Sequence, residues 1–321
     1  MTNRMRAKAA IAGVMLLGAL FVLPAVASEV PGTSCETFPA DNVWHLNVSK
    51  LPVHAKSRTW KKATHAARTH LHPDFGPPSY GIPFDVVGGA HGTVAIDFLY
   101  DVESDPGPYP FGPDITIEGG SDRHAIMIDE SDCTLYELFA ARWNGGNPTA
   151  GSGAIWSLEG PDANDLRPAG WTSADAAGLP IYPGLLLHDE VGAGLVDHAI
   201  RMTVACTHDS YLWPARHAAG TNDRRCPPMG ARFRLRAGFS LDGFGRDAKV
   251  VLRAMKRYGM IVADNGSDWY FQGALDPDWT NRLLDQLKRI PATAFVAVDA
   301  SACKVSGGSA AFAYGPGCPA P

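Results

Sequence analysis

From residue 93 onward, short apolar runs alternate with turn residues, a pattern typical of β-rich chains with long loops. Glycine (34 residues) and proline (25 residues) are abundant between the runs. The pattern predicts strands at 93–100, 124–129, 134–143, 153–159, 185–190, 197–204, 231–239, 259–264 and 268–274. Glycines at 192 and 194 predict a hairpin between the fifth and sixth strands. Asn265-Gly266 predicts another between the last two, because both residues tolerate positive φ.

Two later segments show helical periodicity instead. Residues 246–259 carry apolar residues on one side, basic residues in the last turn and Gly259 at the C-cap position. Residues 276–291 repeat leucine at helical spacing and end at Pro291. The whole pattern predicts a mainly β fold with peripheral helices (α+β), built on a β-sandwich or jelly-roll-like core. No linker divides the chain, so we expect one β-rich domain over 28–300 and a Gly/Pro-rich tail over 301–321.

The N-terminal segment has the pattern of a bacterial signal peptide. Basic residues precede the apolar run 9–22, and the small residues Ala25 and Ala27 form an A-x-A cleavage site. An uncleaved anchor helix is the alternative, since the run approaches membrane-spanning length, but Pro24 favours cleavage. We therefore predict removal of residues 1–27 and a secreted or periplasmic protein without stable membrane insertion.

The six cysteines form an even set, as expected for a disulfide-braced exported protein. Each of the pairs Cys206–Cys226 and Cys303–Cys318 encloses one loop that is rich in Gly, Pro or polar residues, so we favour these pairings. They leave Cys35–Cys133 to tie the N-terminal segment to the middle of the chain. The role of the disulfides is expected to be structural.

Two similar segments, SDRHAIMID (121–129) and VDHAIRMTV (196–204), place a histidine at the head of a predicted strand. If the strands are neighbours, His124 and His198 meet at the rim of a cleft, where imidazoles suit acid–base catalysis. The predicted hairpin would bring Glu190 beside His198. The alternative is that each histidine is buried and satisfied by its own backbone or carboxylate partner.

Other residues around these strands suggest substrate binding. Arg216 and His217 lie in the loop closed by Cys206 and Cys226, and Asp264 lies at a predicted hairpin tip. Aromatic residues near turns could stack on sugars, although core packing is the alternative for each ring. They are Trp143, Trp156, Trp171, Trp213, Trp269 and Tyr270, of which we favour Trp213. Paired carboxylates would suit glycoside hydrolysis, whereas Arg with His or Tyr would suit β-elimination from a uronic acid.

The sequence argues against several other classes of function. It lacks G-x-S-x-G, H-E-x-x-H, P-loop and Rossmann motifs. The net charge of −5 disfavours a nucleic-acid partner. We predict no cofactor and no metal, with His70, His72 and Asp74 in THLHPDFG as a weak candidate metal site.

Several segments together resemble a group of secreted bacterial proteins without an assigned activity. They include FPADNVWHLNVSKLPVH, YGIPFDVV, WTSADAAGLPIYPGLLLHDEV and PPMGARFRLR. The resemblance spans about 38–299 and implies a single exported unit, but it assigns no catalytic residue. From the residues themselves we expect a secreted enzyme acting on an extracellular polysaccharide, as a glycoside hydrolase or a polysaccharide lyase. The alternative is a non-catalytic carbohydrate-binding or cell-envelope-associated protein.

Overall fold

A computed structural model describes residues 29–321. The predicted signal peptide, 1–27, lies outside the described residues. Within the described range, none of the helices combines the length and apolarity needed to cross a bilayer.

Strands outnumber helices in the described chain, which confirms the mainly β class with peripheral helices. The strands are β1 (His72–Asp74), β2 (Asp85–Val87), β3 (Asp97–Phe98), β4 (Ala125–Asp129), β5 (Thr134–Phe139), β6 (Thr149–Ala150), β7 (Ser152–Ser157), β8 (Ile200–Val204), β9 (His208–Tyr211), β10 (Pro228–Met229), β11 (Arg232–Leu235), β12 (Met260–Asn265), β13 (Tyr270–Gln272) and β14 (Phe295–Val298). The α-helices are α1 (Ser57–Ala63), α2 (His188–Ala193), α3 (Arg246–Arg257) and α4 (Asn281–Leu287).

The largest sheet has six strands in the order β1-β13-β8-β12-β11-β14. Its central strand β8 runs parallel to β12 and antiparallel to β13. A second sheet has the order β2-β4-β5-β7, with β2 and β4 parallel. The sheets are therefore mixed, which differs from the antiparallel pairing of a jelly roll.

Apolar side chains form two clusters in the described residues. The larger cluster contains Trp44, Phe233, Trp269, Phe271 and Phe295, all nearly or fully buried. The smaller cluster includes Tyr109, Phe111, Met127 and Leu138, and residues of β4 and β5 contribute to both. Alternation along β4 explains this, because successive side chains point to opposite faces of the sheet.

Helix α2 replaces the strand predicted at 185–190, so that prediction was wrong. Acidic Asp189 and Glu190 occupy its first turn, where they complement the helix dipole. Gly194 ends the helix in the left-handed conformation at φ 95°. The segment therefore reaches β8 through a helix and its cap, and the predicted hairpin does not form.

The hairpin predicted at Asn265-Gly266 was also wrong. Strand β8 lies between β12 and β13 and pairs with both, so the turn connects two strands that are not neighbours. By contrast, both predicted helices are present as α3 and α4. Thr280 caps α4 by accepting a hydrogen bond from the Leu283 amide.

All three predicted disulfides are present: Cys35–Cys133, Cys206–Cys226 and Cys303–Cys318. No described cysteine is free. This set fits an extracellular or other oxidising location.

Candidate functional site

The six-stranded sheet has one polar face, which follows from alternation along three of its strands. Thr203 of β8 stands opposite Tyr270 of β13, and Tyr270 stands beside His72 of β1. Residues two positions further along share the same face. The polar residues of this face are Arg201, Thr203, Tyr270, Gln272, His72 and Asp74.

A β-bulge adds Asp264 to that face. Val262 of β12 pairs with Met202, but the next pairing joins Asp264 to Thr203, so Ala263 is an extra residue. Without this irregularity Ala263 would stand opposite Thr203 and Asp264 would point to the other face. Bulges beside functional sites often redirect a side chain in this way.

Loops before β4 and after β1 complete a pocket over this face. Glu118 and His124 come from the first loop, and Tyr80 comes from the second. The pocket has a volume of about 220 Å³. Asp264 also lines a neighbouring pocket of about 370 Å³, so the two pockets adjoin at this carboxyl group.

His124 and Glu118 form a tight pair in the first pocket. The Nδ1 of His124 lies 2.6 Å from Oε2 of Glu118, and the His124 side chain is buried. Burial disfavours the charged form of both groups, but their hydrogen bond and opposite charges outweigh it. The pKa of His124 is therefore raised and the pKa of Glu118 is lowered, so Glu118 stays ionised.

Arg201 and Asp175 form a buried ion pair beside them. The Nε and one terminal nitrogen of Arg201 donate to the two carboxylate oxygens of Asp175, at 3.1 and 2.9 Å. Both residues are at most 2 % exposed. The pair fixes the guanidinium, because bidentate arginine–carboxylate contacts restrict orientation.

Asp264 is a partly exposed carboxyl group of the pocket with a strongly raised pKa. Its nearer oxygen is 3.8 Å from the Arg201 guanidinium, and its side chain is 23 % exposed. Burial raises the pKa of Asp264 to about 7, and the negative charge of Asp175 adds to this effect. Arg201 offsets only part of it. Asp264 is therefore largely protonated in mildly acidic solution, whereas Glu118 is not.

Two buried polar atoms of the pocket have no hydrogen-bond partner: Nε2 of His124 and Oε1 of Gln272. The amide orientation of Gln272 is fixed, since its Nε2 donates to Asp74 at 3.3 Å. Leaving such groups unpaired costs about 1–3 kcal/mol each. Both residues line the pocket, and these two atoms are the buried polar groups there that a ligand could satisfy.

His198 and Glu190 lie apart from this pocket. They contact each other as predicted, with Nε2 of His198 3.1 Å from Oε2 of Glu190, and the backbone oxygen of Ala199 lies 2.9 Å from Nδ1. His198 is 4 % exposed, and neither residue lines the pocket of His124. His124 precedes β4 and His198 precedes β8, which belong to different sheets. We therefore assign His198 and Glu190 a structural role.

This buried pair predicts a pH dependence of stability. Burial lowers the pKa of His198, but the charge and hydrogen bond of Glu190 outweigh burial and raise it to about 9. A raised histidine pKa stabilises the fold fully below about 6.5 and ceases to do so as the pH rises through 9. Glu190→Gln should therefore cost on the order of 3 kcal/mol at about pH 6 in urea unfolding, and much less at about pH 10.

The exposed Glu36→Gln substitution is the matched control and should change stability little at either pH. An equal loss for Glu190→Gln at both pH values would contradict the assignment of this pair.

The predicted substrate-binding residues separate into two groups. His217 lines the pocket next to Asp264, and its Nδ1 contacts the Ala176 oxygen at 2.8 Å. Trp213 and Arg216 instead line a third pocket, of about 430 Å³. Arg216 is held there by the backbone oxygens of Arg167 and Gly307. Of the predicted catalytic and favoured substrate-binding residues, His124, His217 and Asp264 therefore line the two adjoining pockets.

The residues of the weak candidate metal site have other contacts. His72 stacks on Tyr270 with ring centroids 4.0 Å apart, and Asp74 accepts a hydrogen bond from the Tyr80 hydroxyl. Among the described residues, two other groups bring three ligand atoms within 4.8 Å. One is His188, Asp276 and Asp278. The other is Glu159 with the disulfide-bonded Cys35 and Cys133.

Sequence reasoning missed Glu118, Asp175 and Arg201. Arg201 carried a usable signal, because a charged residue inside the apolar run of 197–204 needs a buried partner. Glu118 and Asp175 lie in irregular segments, where the sequence has no hydrophobic periodicity that would single them out.

Comparison with known proteins adds no assignment. The chain matches no protein-family model, and no curated protein or solved structure gives a significant match. The site must therefore be interpreted from its own geometry.

Proposed function

We propose that the protein is a secreted enzyme that hydrolyses glycosidic bonds in an extracellular polysaccharide. One observation carries this proposal: Glu118 and Asp264 line the same pocket with pKa values displaced in opposite directions. A proton donor and a proton acceptor in one pocket are the pair that glycoside hydrolysis needs.

The roles follow from the protonation states. Asp264 gives its proton to the glycosidic oxygen as the bond to the anomeric carbon breaks. Glu118 takes a proton from the water whose oxygen bonds to that carbon. His124 acts as a positioning residue, since it holds Glu118 ionised and in place through the 2.6 Å contact.

The polar surface of the pocket favours a sugar as the substrate. With its raised pKa, His124 offers an unpaired N–H donor, and Gln272 offers an unpaired acceptor. Sugar hydroxyl groups both donate and accept, so they complement both atoms. Tyr80 and Tyr100 line the two pockets and are 58 % and 49 % exposed, which leaves ring surface for stacking.

Hydrolysis fits the charges better than β-elimination. A lyase needs a cation to neutralise the uronate carboxylate, but Arg201 is already paired with Asp175. The pocket instead presents four carboxyl groups, from Asp74, Glu118, Asp122 and Asp264. A carboxyl group whose pKa is raised to about 7 in a pocket is typical of catalytic sites, which favours an enzyme over a carbohydrate-binding module.

A panel of purified polysaccharides tests the proposal. Hydrolysis of at least one glycan should release reducing ends without the absorbance of unsaturated uronates. Unsaturated products would show a lyase instead. Retardation in affinity gels without any cleavage across the panel would show a carbohydrate-binding protein.

A further inference from the structure

We infer that the first pocket binds amino sugars with a free ammonium group, held by Asp74, Asp122 and Gln272. Cleavage of such a glycan rests on the proposed function, but its binding does not.

The charge of the pocket supports binding of a cationic sugar. Its two cations are already neutralised, Arg201 by Asp175 and His124 by Glu118. In the described part of the chain, no Lys, Arg or His forms a salt bridge with Asp74 or Asp122. His72 lies near Asp74, but burial lowers its pKa and so favours its neutral form. The pocket therefore has two carboxylates available for a cationic ligand.

The unpaired Oε1 of Gln272 is a second and independent support. Gln272 is 4 % exposed, lines the pocket and donates a hydrogen bond from its Nε2 to Asp74. An ammonium group has three donors and no acceptor, so it can donate to Oε1 and to Asp74 together. The Tyr80 hydroxyl stays neutral, because its hydrogen bond to Asp74 raises its pKa to about 12, so it leaves the charge of Asp74 uncompensated.

The adjoining pocket has the same bias. Glu103, Asp175 and Asp264 line it, with His217 as the one histidine and no Lys or Arg among its lining residues. Asp175 is paired with Arg201 and Asp264 is largely protonated in mildly acidic solution, so Glu103 is the carboxylate left without a cation in this pocket. A uronic acid polymer would therefore meet at least one uncompensated carboxylate in each pocket. A glycan of glucosamine units would meet complementary charge in both.

Calorimetry with defined hexasaccharides tests the inference at about pH 6. We expect the glucosamine hexamer to bind at least about tenfold more tightly than the N-acetylglucosamine hexamer, since a charge-assisted hydrogen bond is lost on acetylation. Oligogalacturonate should show no binding. Binding of the glucosamine hexamer should weaken with added salt.

Variants locate the binding. Asp74→Asn and Asp122→Asn should each weaken glucosamine hexamer binding by about tenfold. Asp285→Asn, an exposed carboxylate on α4 that lines neither pocket, is the matched control and should bind like the wild type. If Asp74→Asn folds poorly, Asp122→Asn still tests the inference, provided that its melting temperature equals that of the wild type.

Equal affinity for acetylated and free amino sugars, or preference for oligogalacturonate, would overturn the inference. Unchanged binding in both Asp74→Asn and Asp122→Asn would also overturn it, because the ligand would then occupy another acidic surface. If both variants lose binding of the glucosamine hexamer and the wild type cleaves neither this hexamer nor any glycan of the panel, the proposed hydrolysis is contradicted and this inference stands.

Discussion

Asp264→Asn is expected to lower the rate of glycan hydrolysis by about 10²–10⁴-fold, the usual loss when a general acid is removed. Asparagine keeps the shape of the side chain but cannot give a proton to the departing oxygen. Reducing-end release from the glycan that the wild type cleaves measures this loss. The wild-type rate should itself fall as the pH rises through about 7, where Asp264 ionises.

The same substitution should leave the fold intact. Because the folded-state pKa of Asp264 is raised from 3.8 to about 7, ionisation of this group disfavours the folded state as the pH rises between those values. The difference in melting temperature between Asp264→Asn and the wild type should therefore shift in favour of the variant as the pH rises from about 4 to 8. Asp285→Asn controls for surface charge, and retention of full activity by Asp264→Asn would contradict the assignment.

Arg201→Met is expected to destabilise the protein by about 3–5 kcal/mol, because it leaves the Asp175 carboxylate buried without a cation. Urea unfolding at pH 7 measures the loss. Arg253→Met, at an exposed position of α3, is the matched control and should stay within about 0.5 kcal/mol of the wild type.

The double variant Arg201→Met, Asp175→Leu separates the buried charge from other effects. It should recover much of the lost stability, because no uncompensated ion remains in the interior. If the double variant is as unstable as Arg201→Met alone, the loss arises from packing and not from the ion pair.

Local patterns in the sequence predict local features of this protein. The α3 and α4 helices follow from apolar spacing and end signals within a dozen residues. The disulfides Cys206–Cys226 and Cys303–Cys318 follow from the loops they enclose, and their assignment leaves one pairing for Cys35 and Cys133. In each case the decisive contacts are close in sequence.

Contacts between distant segments explain the failures. The repeated His-Ala-Ile segments correctly place His124 and His198 at strand starts, but strand periodicity does not tell which sheet a strand joins. Asp264 was selected as a hairpin tip, yet it reaches the pocket through the bulge in β12. A bulge depends on the register between strands, which hydrophobic periodicity does not specify.

The candidate site was therefore predictable only in part. His124, His217 and Asp264 are polar residues beside apolar runs, so they stand out in the sequence. Glu118 belongs to the candidate site because its chain segment brings it to His124, and nothing in its sequence neighbours indicates this contact.

The central claim is that one pocket holds both a carboxylic acid with a pKa near neutrality, Asp264, and an ionised carboxylate, Glu118. Titration of the aspartate side-chain carboxyl carbons by NMR tests it directly, with Asp264→Asn to assign the resonance. The account predicts a midpoint near 7 for Asp264. A midpoint near the ordinary value of 3.8 would contradict it.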